Sequence, residues 1–235
     1  MADRYQVIHP FRSRRNDPWV VYGMIALCMA VFIWDYLSGV VNTHTYGFSA
    51  YGWPSALGMK DNEAIIEGQW WRLLTANFLH GGFEHILFNM FSLYVWGRFV
   101  EMIYGHGRTA VIMLGAALAT TCLSFACSGA RSLGASGVVF GLMGALLAFG
   151  KYNRPLYERF FGGGMTVMVV LNLLYGFFAS SVDNFGHLGG LIGGYLVARS
   201  VGLLAHRQFS WGNAAALAVY LAGICLSLWT GFHRW

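Results

Sequence analysis

Gly134-Ala135-Ser136-Gly137-Val138-Val139-Phe140-Gly141-Leu142-Met143-Gly144-Ala145-Leu146-Leu147-Ala148-Phe149 sets a hydroxyl at the mouth of an unbroken apolar run. Phe185-Gly186-His187-Leu188-Gly189-Gly190 sets an imidazole at the mouth of another, which ends near Leu204. Polar groups inside a membrane span are costly, so their presence there marks function by default. A hydroxyl nucleophile beside an imidazole base is the smallest side-chain pair that supports peptide hydrolysis. The expectation from these two stretches is a helical membrane protein with a reactive pair buried in it.

Composition agrees. Of 235 residues, 57% are hydrophobic and 11% charged, against about 25% charged in soluble domains. The 31 glycines suit helices that approach closely in lipid. A spanning helix needs about 20 mostly apolar residues. Seven stretches qualify: 19–37, 85–104, 109–127, 136–151, 165–178, 185–204 and 214–232, the fourth and fifth being short. They are too long for strands and lack period-two alternation. The first apolar run is too long for a cleaved signal peptide. The four cysteines (Cys28, Cys122, Cys127, Cys225) all lie in apolar runs and read as small packing residues.

Charge sets the expected orientation, because cytoplasmic segments carry the excess of Lys and Arg. With seven spans and the N-terminus inside, Arg4, Arg12, Arg14, Arg15, Arg98, Arg108, Lys151, Arg154, Arg159, Arg199 and Arg207 lie inside. Lys60, Arg72, Arg131 and Arg234 lie outside, so the division is 11 against 4. This puts the N-terminus in the cytoplasm and the C-terminus outside it. Ser136 and His187 then share one depth near the outer ends of spans four and six, where water has access. The connection 38–84 reads as a loop in the outer headgroup zone, because Tyr46, Phe48, Tyr51, Trp53, Trp70 and Trp71 favour that zone.

Gly186, Gly190 and Gly194 recur every four residues, widened by Gly189 and Gly193, and span four offers Gly137, Gly141 and Gly144 in return. Such stripes bring helices together, here hydroxyl to imidazole. Asp183 falls in the loop before span six, so a two-residue pair is expected rather than a triad. At the start of span two, His85 and Asn89 share a helical face, both able to donate to a developing oxyanion. His80 lies off that face and reads as a loop-fixing residue. A zinc site of H-E-x-x-H form is not met by His80, Glu84 and His85, so no metal is expected. Internal repeats, the usual mark of transporters, are not apparent.

Trp71-Arg72, His80 with His85 and Asn89, Gly134-Ala135-Ser136-Gly137, and Gly186-His187-Leu188-Gly189-Gly190 occur in this order and at these intervals. Together they resemble the rhomboid family of intramembrane serine proteases, over residues 19–204. The resemblance implies an all-α polytopic fold with a six-helix core, in which Ser136 is the nucleophile and His187 the base. It implies oxyanion roles for His85, Asn89 and the Ser136 N–H. Structural roles near the site fall to His80, Trp71, Arg72, Gly134, Gly137, Gly190 and Gly194. Phe140 stands where some relatives carry a tyrosine, so stacking on the histidine survives without a hydroxyl. The segment after Arg207 resembles the extra helix of six-plus-one members. The expected organisation is a cytoplasmic segment 1–18, a core 19–206 and an added C-terminal transmembrane helix 207–235. The expected function is hydrolysis of peptide bonds in or near transmembrane segments of membrane proteins, in a bacterial plasma membrane. It needs no cofactor and engages no nucleic acid; the oligomeric state stays open. The alternative is a catalytically silent relative that binds membrane clients for quality control.

Overall fold

The computed structural model describes residues 17–42, 53–179, 182–203 and 210–235, with side chains of 39–42 and 53–55 set aside. Arg4, Arg12, Arg14, Arg15, Tyr46, Phe48, Tyr51, Leu204 and Arg207 lie outside these residues, as does the side chain of Trp53. Most of segment 1–18 and the junction before the last span lie outside them too.

Helices stand on all seven expected stretches: α1 (Trp19–Asn42), α5 (Phe83–Tyr104), α6 (His106–Cys127), α7 (Ser136–Tyr152), α9 (Gly162–Phe178), α10 (Asn184–Val201) and α11 (Trp211–Arg234). Short helices α2 (Trp53–Gly58), α3 (Asn62–Ile66) and α4 (Arg72–Thr75), with a 3-10 turn at Ala76–Phe78, fill the long connection. Helix α8 (Arg154–Phe160) precedes α9 at a 71° bend. The chain is thus an all-α, multi-pass integral membrane protein. Four helices, α1, α5, α6 and α11, are long and apolar enough to cross a bilayer unaided, and the bent pair α8–α9 makes a fifth. Helix α7 is shorter at 17 residues, or about 26 Å of rise. Helix α10 has 18 residues and carries Asn184, His187 and Arg199 among its apolar ones.

Helix α7 is the core of the bundle, with twelve of its residues buried. Helix α10 lies against both α7 and α6, and the glycine stripe divides between them. A Cβ on Gly190 would sit 2.0 Å from the Gly137 carbonyl oxygen, and one on Gly194 2.1 Å from that of Gly141. Gly189 and Gly193 instead face Ala119 of α6. Gly137 serves both neighbours: its carbonyl meets Gly190 of α10, and its Cβ direction points at Thr120 of α6. Two glycine rows one residue apart let α10 approach two helices at once.

Distant polar contacts fix the rest. The buried Glu101 carboxylate on α5 accepts from the Val20 and Val21 N–H groups (2.9 and 3.0 Å) and also meets His106. It thereby satisfies N–H groups that the start of α1 leaves open. The connection between α1 and α5 is sewn to the loop before α7. Lys60 pairs with Ser132 in an antiparallel bridge, and its buried Nζ donates to the Ser128 and Ala130 carbonyls at 2.6 and 2.9 Å. Arg72 Nη1 and Nη2 donate to the Met59 and Ala56 carbonyls, while Trp71 Nε1 donates to Leu57. From residue 53 on, the interfacial loop expected from composition is therefore a folded element built around the buried Lys60 and Arg72. Burial lowers the Lys60 ammonium to about 8 and the Arg72 guanidinium below its ordinary value.

Candidate active site

Ser136 is the first residue of α7 and His187 lies in the first turn of α10. The glycine seam puts His187 Nε2 2.8 Å from Ser136 Oγ, across 51 residues of sequence. This is hydrogen-bonding distance for a base that takes a proton from a hydroxyl. Phe140, one turn along α7, stacks on the imidazole at 4.4 Å between centroids and 22° between planes. Stacking holds the ring plane without a second side-chain bond: His187 Nδ1 has no partner among the described residues. Asp183 caps α10, and its carboxylate accepts from Gly186 N–H and Ser124 Oγ rather than from the imidazole.

His85 and His80 stand beside the serine loop. Their rings meet edge to face at 5.2 Å. Gly134 has φ +128, and a Cβ there would lie 2.7 Å from His85 Nε2, so glycine is needed for both conformation and space. His80 Nε2 accepts from the Ala135 N–H at 3.4 Å, and Gly134 N–H donates to the Ala76 carbonyl at 2.9 Å. These bonds set the turn that delivers Ser136. Burial, then the neighbouring His85, lowers His80 to about 3. The ring therefore stays neutral and able to accept. Asn89 is buried on the same helix, but its Nδ2 donates to the His85 carbonyl at 2.8 Å. Turning toward an oxyanion requires a rotation about its side-chain bonds. The first-turn N–H groups of α7 have no acceptor within the helix and stand ready as donors.

The structure thus gathers Ser136, His187, Phe140, Gly134, His80 and His85 at one end of the bundle. Asn89 lies one turn along α5, and Trp71 and Arg72 support the loop above. Sequence reasoning passed over Ser124 and Lys60. Neither belongs to a motif, and a lysine flanked by Met59 and Asp61 carries no sign that it will be enclosed. Among the described residues no three His, Cys, Asp or Glu side chains are grouped as a metal site requires.

The family model for the Rhomboid domain matches residues 67–204, more than half of the chain and all of the residues gathered here. The chain belongs to the rhomboid family. It is 38% identical over 222 residues to "Rhomboid protease GluP" of Bacillus subtilis, covering 94% of this chain and 42% of that protein. It is 36% identical over 163 residues to "RHOMBOID-like protein 5" of Arabidopsis thaliana, covering 67% of this chain and 52% of the relative. "Putative rhomboid protease YdcA" of Bacillus subtilis is 29% identical over 139 residues, 58% of this chain and 70% of that one. The chain therefore spans about half the length of the first two curated relatives.

Proposed function

We propose that this rhomboid chain is an intramembrane serine endopeptidase that cuts membrane proteins in or near their transmembrane segments. The observation that carries the reading is the 2.8 Å contact between Ser136 Oγ and His187 Nε2 at the end of an apolar bundle. In the proposed reaction His187 Nε2 takes the Ser136 proton as Oγ attacks the scissile carbonyl carbon. The resulting oxyanion accepts hydrogen bonds from the α7 N–H groups, His85, and Asn89 once it has turned. His187 then returns the proton to the leaving amine as the C–N bond breaks. Water, deprotonated by the same imidazole, hydrolyses the serine ester and restores Ser136. No cofactor enters any step.

Access is lateral. Helix α9 is the least embedded of the spans around the pair: only Met165, Val169 and Gly176 are buried. Helix α5 likewise leaves Phe83, Leu87, Phe88 and Phe91 exposed. A substrate helix that enters there unwinds at its end, because helical carbonyls are already hydrogen-bonded and shielded. The charge division supports a position outside the cytoplasm for this end of the bundle, with the N-terminus inside and the C-terminus outside; the proposed setting is a bacterial plasma membrane. In this reading α1 to α10 are the six-span core, and α11 is the added seventh span. The partners are transmembrane proteins and the surrounding lipid. The test is cleavage of a single-span reporter protein. Wild type releases the ectodomain, while Ser136→Ala, expressed to the same level, releases none. Undiminished release by Ser136→Ala would exclude the serine mechanism.

A further inference from the structure

The far end of α6 carries an arrangement that the Ser136–His187 pair does not itself explain. A helix leaves its last carbonyls without internal partners; here the Ser124 carbonyl takes the N–H of the capping residue, and the next two are taken by α11. The Ser124 carbonyl accepts from Ser128 N–H at 2.7 Å. The Phe125 carbonyl accepts from Trp235 Nε1 at 2.6 Å, and that of Ala126 from Arg234 Nη1 at 3.4 Å. The Phe125 ring is fully buried, set edge-on to Phe232 at 5.2 Å, and faces Gly231, where a Cβ would come within 2.3 Å of it. The end of α11 is thus clamped onto the last turn of α6, with the Arg234 cation where the helix dipole favours it.

That same turn presents Ser124, also fully buried, whose Oγ donates to Asp183 Oδ2 at 2.5 Å. Asp183 Oδ1 caps α10 by accepting from Gly186 N–H at 2.9 Å, and the Asp183 carbonyl accepts from His187 N–H at 3.0 Å. Both carboxylate oxygens are engaged away from the imidazole, so Asp183 is no third member of a triad. It fixes the helical turn on which the imidazole is mounted.

We propose that Asp183 and Ser124 are positioning residues for His187, and that the seventh span stiffens them by clamping the last turn of α6 through Trp235 and Arg234. The inference rests on the hydrolase reading above. A displacement of α10 by a fraction of an ångström lengthens the Oγ–Nε2 contact, and such misplacements are costly to rate.

The test uses the full chain in detergent, with two readouts: kcat and KM on a single-span reporter, and the rate of Ser136 labelling by a small fluorophosphonate, which needs no transmembrane docking. Ser124→Ala is expected to lower kcat and the labelling rate together, roughly tenfold to a hundredfold, with KM nearly unchanged. Ser124→Thr, which restores the hydroxyl, should recover most of the rate. Trp235→Phe and Arg234→Gln should lower labelling several-fold in the native background and not at all in Ser124→Ala. Labelling is scaled to the monodisperse, folded fraction of each variant. Undiminished labelling in Ser124→Ala, or additive losses when it is combined with Trp235→Phe, overturns the proposal. Failure of wild type to label would instead reject the hydrolase reading.

Discussion

The two walls around Ser136 are built to opposite specifications. On one side α7 and α10 meet backbone to backbone, with Gly190 and Gly194 directed at the carbonyls of Gly137 and Gly141. On the other, α9 presents Val167, Val170, Leu171, Leu174, Tyr175, Phe177 and Phe178 outward and buries only three residues. Close packing transmits small displacements, because a well-packed interior has no slack. A lipid-facing helix held by few contacts opens at little cost. Under the proposed function, the α7–α10 seam supplies precision and α9 supplies access.

Asn89 stands on α5, buried one turn after His85. If it turns to meet the oxyanion, Asn89→Ala should lower kcat about a hundredfold, equivalent to roughly 3 kcal/mol of transition-state stabilisation. KM should hold steady in steady-state kinetics on the reporter. A tenfold rise in KM at constant kcat would assign Asn89 to docking instead. Gly194→Ala drives a methyl into the Gly141 carbonyl. It should destabilise the bundle by about 1–3 kcal/mol, read by thermal unfolding in detergent, and activity should fall with it. Leu171→Ala on α9 should cost under about 0.5 kcal/mol by the same measurement. Equal losses at Gly194 and Leu171 would erase the distinction between the walls.

A smaller effect comes from the loop that delivers Ser136. His80 is lowered from 6.5 to about 3 by burial, so the unfolded chain binds a proton there before the folded one does. The stability contributed by the neutral ring is complete above pH 6.5 and drains away as pH falls toward about 3. Unfolding measured between pH 7 and 4 should show a steeper loss in wild type than in His80→Gln. Parallel pH curves would remove His80 from the brace.

Much of this architecture is legible in the sequence because it is periodic or local. Apolar runs of helical length announce α1, α5, α6 and α11, and glycines four apart announce a close seam. Ser136 and His187 stand out because few other polar groups open such runs. The division of glycines between two neighbours is less legible. Gly189 and Gly193 face Ala119 of α6 while Gly190 and Gly194 face α7, because a row of small residues tells that a helix approaches, not which one. Bonds from a side chain to a distant backbone leave no pattern at all. Glu101 bonding to Val20 and Val21, Lys60 reaching Ser128 and Ala130, and Ser124 bridging to Asp183 each join stretches that are dozens of residues apart. The spacing sets Asn89 one turn from His85, yet its amide turns back to its own helix, since an interior donor takes the nearest carbonyl when no charge draws it elsewhere.

Covalent labelling of Ser136 by a fluorophosphonate bears most directly on the central claim, because it asks whether the hydroxyl is activated by the imidazole bonded to it. The account predicts that the purified wild-type protein is labelled at Ser136, and that Ser136→Ala and His187→Ala, folded to the same extent, are not. Labelling that persists in His187→Ala at the wild-type rate would contradict it.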